Sequence, residues 1–176
     1  DPSEIVVPAD ITIEAGQTSA NFTYEIVDDT DRDGLQTVAV TANASGLTVA
    51  QADVGVVDND VHHFTVNAIS SPQTAAVSFS LTLTALTIEE MTVTTYTGPA
   101  FLSASGNSGV ALIQPEVTGS FYDGQWTGFV AINTVDSNVT ITVDDGEGYQ
   151  GQSNAFDVVN GALDHFEISQ IASPQY

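Results

Sequence analysis

The chain contains no cysteine, no lysine and a single arginine, Arg32, and nowhere runs to the roughly twenty consecutive apolar residues that a membrane-spanning helix needs. Each absence excludes something. Without cysteine there is no disulfide, no thiol nucleophile and no thiolate metal site. Without lysine there is no crosslink between lysine and asparagine side chains, and a trypsin-like protease finds one target. The lone base stands against 23 carboxylates, for a net charge of -22. Nucleic acid is excluded as a partner, because it is held by Lys and Arg that displace its counterions. Adhesion to anionic membrane surfaces is excluded for the same reason. The N-terminus carries neither a basic region nor an apolar leader core, so the sequence reads as an interior piece or mature product of a secreted chain, without membrane insertion.

What is present is apolar enough to fold: 42% of 176 residues are hydrophobic, sufficient for one large core or two small ones. Uncompensated negative charge repels itself unless salt screens it or divalent cations bind it, so the composition predicts a saline, calcium-containing extracellular setting. Alternation of period two dominates. ITIE (11–14), NFTYEIV (21–27), QTVAVTA (36–42), ADVGVV (52–57), HFTVNAI (63–69), SFSLTLTAL (78–86), MTVTTYT (91–97), GFVAI (128–132), VTITV (139–143) and NAFDVV (154–159) all read as strands. Turn signals EAGQ, DRDG, YDGQ and DDGEG separate them. The one short helical pattern, TIEEM (87–91), reads as a connection between strands. The expected fold is all-β.

An internal repeat sets the organisation. HFTVNAISSPQ, beginning at His63, returns as HFEISQIASPQ, beginning at His165, a period of 165 − 63 = 102 residues. That is the size of one immunoglobulin-like sandwich of about 100 residues. Residues 62–160 are then one such unit. VVDND (56–60) closes a different unit spanning 1–61, and 161–176 is the first strand of a further repeat or a donor strand. The short link Val61-His62 leaves little room for hinging.

The residues from Pro8 to Asp60, with ITIEAGQTSANFTYEIVDD, QTVAVTA and VVDND in order, resemble the C-terminal two-thirds of a Calx-beta-type module. The remainder resembles the bacterial immunoglobulin-like repeats of large surface proteins, through HFTVNAISSPQTA, WTGFVAI and GYQGQSNAFDVV. These resemblances imply two tandem antiparallel β-sandwiches, the first incomplete, plus one extra C-terminal strand. The Calx-beta pattern implies that the first two strands of the first sandwich are missing. Two readings follow. The chain is a segment of a long repeat protein, or it is a filament subunit whose C-terminal strand completes the next copy head-to-tail, an addition that does not close on itself.

The densest acidic stretch is VDDTDRDG. Asp29, Asp31, Asp33 and Gly34 match the opening of an EF-hand loop, where alternate oxygens converge on Ca²⁺. Its twelfth position is Val40 and strands replace the flanking helices, so an EF-hand is rejected. The Calx-beta resemblance implies instead that Asp28, Asp29, Asp33, Asp58 and Asp60 meet at one tip and bind calcium, with Asn59 departing from that family's acidic triplet. Carboxylates packed together strongly favour a cation. The predicted metal ligands are therefore Asp28, Asp29, Asp31, Asp33, Asp58 and Asp60, with calcium as the ion. Asp144 to Gly148 and Asp123-Gly124 read as hairpin turns. His62, His63 and His165 do not read as a metal site, since successive strand residues point to opposite faces. Trp126 and Phe129 read as sandwich core.

No enzyme signature is found. GQSNA (151–155) approximates a nucleophile elbow but runs between strands. P-loop, Rossmann and zincin patterns are absent, and no carboxylate pair stands out as a glycosidase acid and base. Asn21, Asn43 and Asn138 open glycosylation sequons. The expected function is that of a non-enzymatic extracellular structural or adhesin repeat, spacing or polymerising at a cell surface or in the matrix, with neighbouring repeats or copies of itself as partners. The alternative is a carbohydrate-binding or adhesive accessory module of a large secreted protein. That needs clustered exposed aromatics, and alternation divides the local group Phe121, Tyr122 and Trp126 between faces.

Overall fold

The structure, a computed structural model, describes residues 4–163 and Glu167. Most of the predicted strand over 161–176, with His165, lies outside the described residues. Every regular element among the described residues is a β-strand.

In the N-terminal part, β1 (Ile5–Val6) pairs antiparallel with β2 (Glu25–Ile26), and β3 (Gln36–Ala42) pairs antiparallel with β4 (Ala50–Val56). Alternation in β3 turns Val38 inward between the exposed Thr37 and Ala39, and the register sets Val38 opposite Val54. The core beneath is thin: Ile5, Val38 and Val56, with Val40 and Val54 packed against them. Two of the predicted strands are not realised as ladders. Residues 11–14 and most of 21–27 run unpaired, leaving Ile11, Ile13, Phe22 and Tyr24 exposed. Their alternation is a genuine preference for a pleated, half-buried surface, but a ladder also needs a neighbour, and none is present among the described residues.

The C-terminal part is a full sandwich. One sheet contains β5 (His63–Val66), β7 (Phe79–Leu86), β10 (Ile113–Gln114) and β11 (Gln125–Ile132), in the order β10-β11-β7-β5. The other contains β6 (Gln73–Thr74), β8 (Phe101–Gly106), β9 (Gly109–Ala111), β12 (Asp136–Asp144), β13 (Gln150–Gln152) and β14 (Phe156–Val159). Its order is β6-β14-β12-β8-β9, with β13 also paired to β12. Leu81, Leu83 and Ala85 of β7 face Val139, Ile141 and Val143 of β12 across one continuous core, while Ser80, Thr82 and Thr84 face outward. Phe64, Tyr96 and Phe121 pack edge to face within it, with ring centres 5.0 to 5.8 Å apart.

The turns follow their residues. Asp123 and Gly124 both take positive φ, and Tyr122 and Gln125 exchange backbone hydrogen bonds around them, the tight hairpin that Asp-Gly favours. Thr87 to Met91 forms a turn closed by Thr87 N–H to the Met91 carbonyl, not a helix. Residues 91–97 are not a strand: Val93 is buried and Tyr96 turns into the core, its hydroxyl donating to the Pro99 carbonyl. Trp126 packs against the core as expected, but Phe129 is 71% exposed. The two differ by an odd number of positions on one strand, and Val130 and Ile132 share the inward parity of Trp126.

Candidate metal site

The two cores meet at a joint made of loops. After β2 the chain turns through VDDTDRDG, where Asp31 N–H donates to Asp29 Oδ1 at 2.8 Å. Gly34 has φ +76° and lies so close to Glu89 that an added Cβ would stand 2.3 Å from its Oε1. Glycine takes the left-handed turn without strain, and a Cβ there would push the Glu89 carboxylate aside. The next residue, Leu35, donates its N–H to Glu89 Oε1 at 2.6 Å, tying the N-terminal loop to the turn after β7. After β4 the chain turns again through VDND. Asp58 is buried there, with Oδ1 accepting from Asp60 N–H at 2.7 Å and Oδ2 from Gly34 N–H at 3.2 Å.

These turns surround a cleft of about 290 Å³ that is lined by Asp28, Asp29, Asp31, Asp33, Asp58 and Asp60, and also by Glu4. All the carboxylates predicted from sequence as metal ligands thus come to one place. Glu4 was not anticipated. The Calx-beta resemblance begins at Pro8, and the available signal was an acid immediately before the apolar run Ile5-Val6-Val7.

Burial and neighbouring carboxylates both act on Asp60. Its carboxyl is pushed above the usual Asp value of 3.8, chiefly by burial and then by Asp58, with Asp28 and Asp29 adding and Arg32 opposing. Arg32, the chain's one arginine, lies at this joint. Its Nε donates to the Val61 carbonyl, and its guanidinium carbon sits 3.7 Å from the centre of the Tyr149 ring, in the turn between β12 and β13.

Oxygen-only donors of this kind suit a hard divalent cation, and calcium best, because it tolerates irregular shells of carboxylates and carbonyls. The residues that would hold it are Asp28, Asp29, Asp31, Asp33, Asp58 and Asp60. Among the described residues no three acidic or histidine side chains already form a closed ligand group. Both oxygens of Asp58 accept backbone N–H groups, so Asp58 ties the two loops together.

The other sequence candidates divide cleanly. His62 and His63 do not point apart: their rings meet edge to face, with centroids 5.5 Å apart and the two Nδ1 atoms 3.3 Å apart. His62 precedes the first ladder pair of β5, so strand alternation does not govern it. Phe121 is buried while Tyr122 is 80% exposed, the division between faces expected from alternation. Ser153 of GQSNA is buried, accepting from Ile141 N–H and donating to the Asn154 carbonyl, which is a structural role. Asp144 to Gly148 forms the hairpin turn between β12 and β13, with Asp145 Oδ1 accepting from the N–H groups of Glu147 and Tyr149. Asn21, Asn43 and Asn138 are all exposed. No helix among the described residues is long and apolar enough to cross a membrane.

No family model and no curated protein matches the chain. Among solved structures it is similar to the D00-D0 domain of Intimin, at 14% identity and a TM-score of 0.44, over 90% of this chain and 80% of that one.

Proposed function

We propose that this chain is a non-enzymatic extracellular structural repeat of the adhesin type, a strut that holds reach at a cell surface or in the surrounding matrix. The observation that carries this reading is the joint. Arg32 spans it through the Val61 carbonyl and the Tyr149 ring, and Glu89 spans it in the other direction to Leu35. A joint held from both sides transmits orientation from one β-part to the next, which is what a spacer requires. Calcium is the cofactor this reading assigns to the acidic cleft, where it would neutralise the repulsion centred on Asp60.

A second reading is favoured by the open N-terminal sheets. β3 and β4 pair with each other and with nothing else among the described residues, and the alternating segments 11–14 and 21–24 expose Ile11, Ile13, Phe22 and Tyr24. Unpaired edges beside exposed apolar side chains accept strands. The occupant assigned here is the alternating segment 161–176 of a second copy, giving a head-to-tail filament.

Negative-stain imaging of the chain with and without a calcium chelator tests both. Straight rods in calcium that bend on chelation are expected of the strut; rods equally bent in both conditions refute it. Fibres that vanish when residues 161–176 are deleted establish strand addition, and fibres that survive the deletion eliminate it.

A further inference from the structure

The histidines at the joint form a nitrogen pair separate from the oxygen-lined cleft. His62 and His63 are adjacent in the chain, both partly buried, and their Nδ1 atoms face one another at 3.3 Å. Their backbones are fixed. His62 N–H donates to the Leu86 carbonyl at 2.8 Å, and His63 opens β5 opposite Leu86 in the ladder with β7. The preceding residue, Val61, is buried, and its carbonyl accepts from Arg32.

Two imidazole nitrogens bound to one tetrahedral zinc ion, each at about 2.0–2.1 Å, stand roughly 3.3–3.4 Å apart. The observed separation of 3.3 Å already lies in that range. The far nitrogen of His63 has the partner a ligating histidine usually has: its Nε2 lies 3.4 Å from Glu90 Oε2. A carboxylate there favours the tautomer with the proton on Nε2 and leaves Nδ1 of His63 with a free lone pair. Without metal, His62 donates its Nδ1 proton to that lone pair. Binding a metal through both Nδ1 atoms would require His62 in its other tautomer, with the proton on Nε2.

We propose that His62 and His63 form a two-imidazole site for a transition-metal dication, Zn²⁺ or Cu²⁺, at the joint between the two β-parts, with Glu90 as the positioning residue behind His63 and water completing the coordination. Imidazole pairs select these ions over Ca²⁺, which prefers oxygen. The net charge of -22 enriches divalent cations near the protein and aids their capture.

The test uses the full chain, freed of metal and then kept in millimolar calcium so that oxygen sites are occupied, titrated with ZnCl₂ and separately with CuCl₂ by calorimetry. One ion per chain is expected, with binding lost in the double variant His62→Ala/His63→Ala. Glu90→Gln should weaken it by about 10–100-fold. Long-range ¹H–¹⁵N spectra of the unmutated protein provide a check independent of folding: zinc must shift both Nδ1 resonances, and the Nε2 resonances must report protonated nitrogen. Equal zinc binding by the double variant, or zinc binding that leaves the Nδ1 resonances in place, overturns the proposal.

Discussion

Replacing Arg32 with glutamine loosens the joint while leaving both cores untouched. The side chain makes two contacts that glutamine does not reproduce: a charged Nε–H donated to the Val61 carbonyl and a guanidinium stacked on the half-buried Tyr149 ring. A hydrogen bond from a charged donor contributes about 1.5–3 kcal/mol, and a cation–π contact at a partly exposed site about 0.5–1 kcal/mol. The attraction between the half-buried Arg32 and Asp60 is still partly screened by solvent, so it is left out of the sum. The loss is therefore about 2–4 kcal/mol, roughly one and a half to three decades in the ratio of docked to undocked joints. The chain has no native cysteine, so Ser45→Cys and Ser120→Cys, both at exposed positions, carry a spin-label pair without interference. Pulsed electron–electron resonance should show a narrow distance distribution for the parent and a broad one for Arg32→Gln, with the environment of Trp126 unchanged in fluorescence. Arg32→Lys should fall between them, because it keeps the charge and loses the planar stack. A distribution for Arg32→Gln as narrow as the parent's would refute the reasoning.

Asp60→Asn should raise the melting temperature at neutral pH in a chelator and abolish any further rise on adding calcium. The folded-state carboxyl titrates above its ordinary 3.8, so its contribution is most favourable below that value and is lost as pH rises through the folded value. A variant less stable than the parent in chelator would show that the cost of burying a charge beside Asp58 is not the dominant effect there. Asp136 behaves oppositely. Its carboxyl is held below 3.8, first by Ser108 N–H and then, against the opposing effect of desolvation, by Ser137 N–H and the Ser108 hydroxyl. Its contribution is thus present above 3.8 and disappears as pH falls through the folded value, so the melting temperatures of the parent and Asp136→Asn should converge in strong acid. A constant gap across that range would contradict the assignment. Ile141→Ala, at a fully buried position, should cost about 2–5 kcal/mol in urea denaturation of the sandwich. A cost under about 1 kcal/mol would mean that the core is not packed as described.

The strands that were legible in the sequence are those whose inward positions carry branched or large side chains. QTVAVTA became β3 unchanged, and the runs around Leu81, Leu83, Val139 and Ile141 became the centre of the sandwich. FLSASG was not anticipated as β8, because its inward residues after Leu102 include only Ala104 and its outward ones are Phe101, Ser103 and Ser105, a pattern with little hydrophobic contrast. MTVTTYT shows the opposite failure, since threonine-rich alternation there is broken by Tyr96 entering the core. The six acidic ligand candidates converge because one loop enters β3 where the other leaves β4, with Gln36 opposite Val56, and that much follows from a hairpin topology. What stayed hidden were partners distant in sequence: Glu4 in the acidic cleft, Tyr149 beneath Arg32, and Glu89 against Gly34. Charge counting signalled that the single arginine was unusual, but nothing in the order of residues says what it touches.

The parallel pair β6 and β14 decides how the sandwich meets tension. The strand near its entry and the strand near its exit lie side by side and run the same way, so pulling the two ends drags them past each other lengthwise. Ala75 N–H on the Val159 carbonyl, Asp157 N–H on the Ser71 hydroxyl, and the Asn154 side chain bonded to both N–H and carbonyl of Ile69 are then strained at once, not peeled in succession. Rupture must break this whole group in one event, so a steady pull along the polypeptide meets its resistance at the seam between β6 and β14.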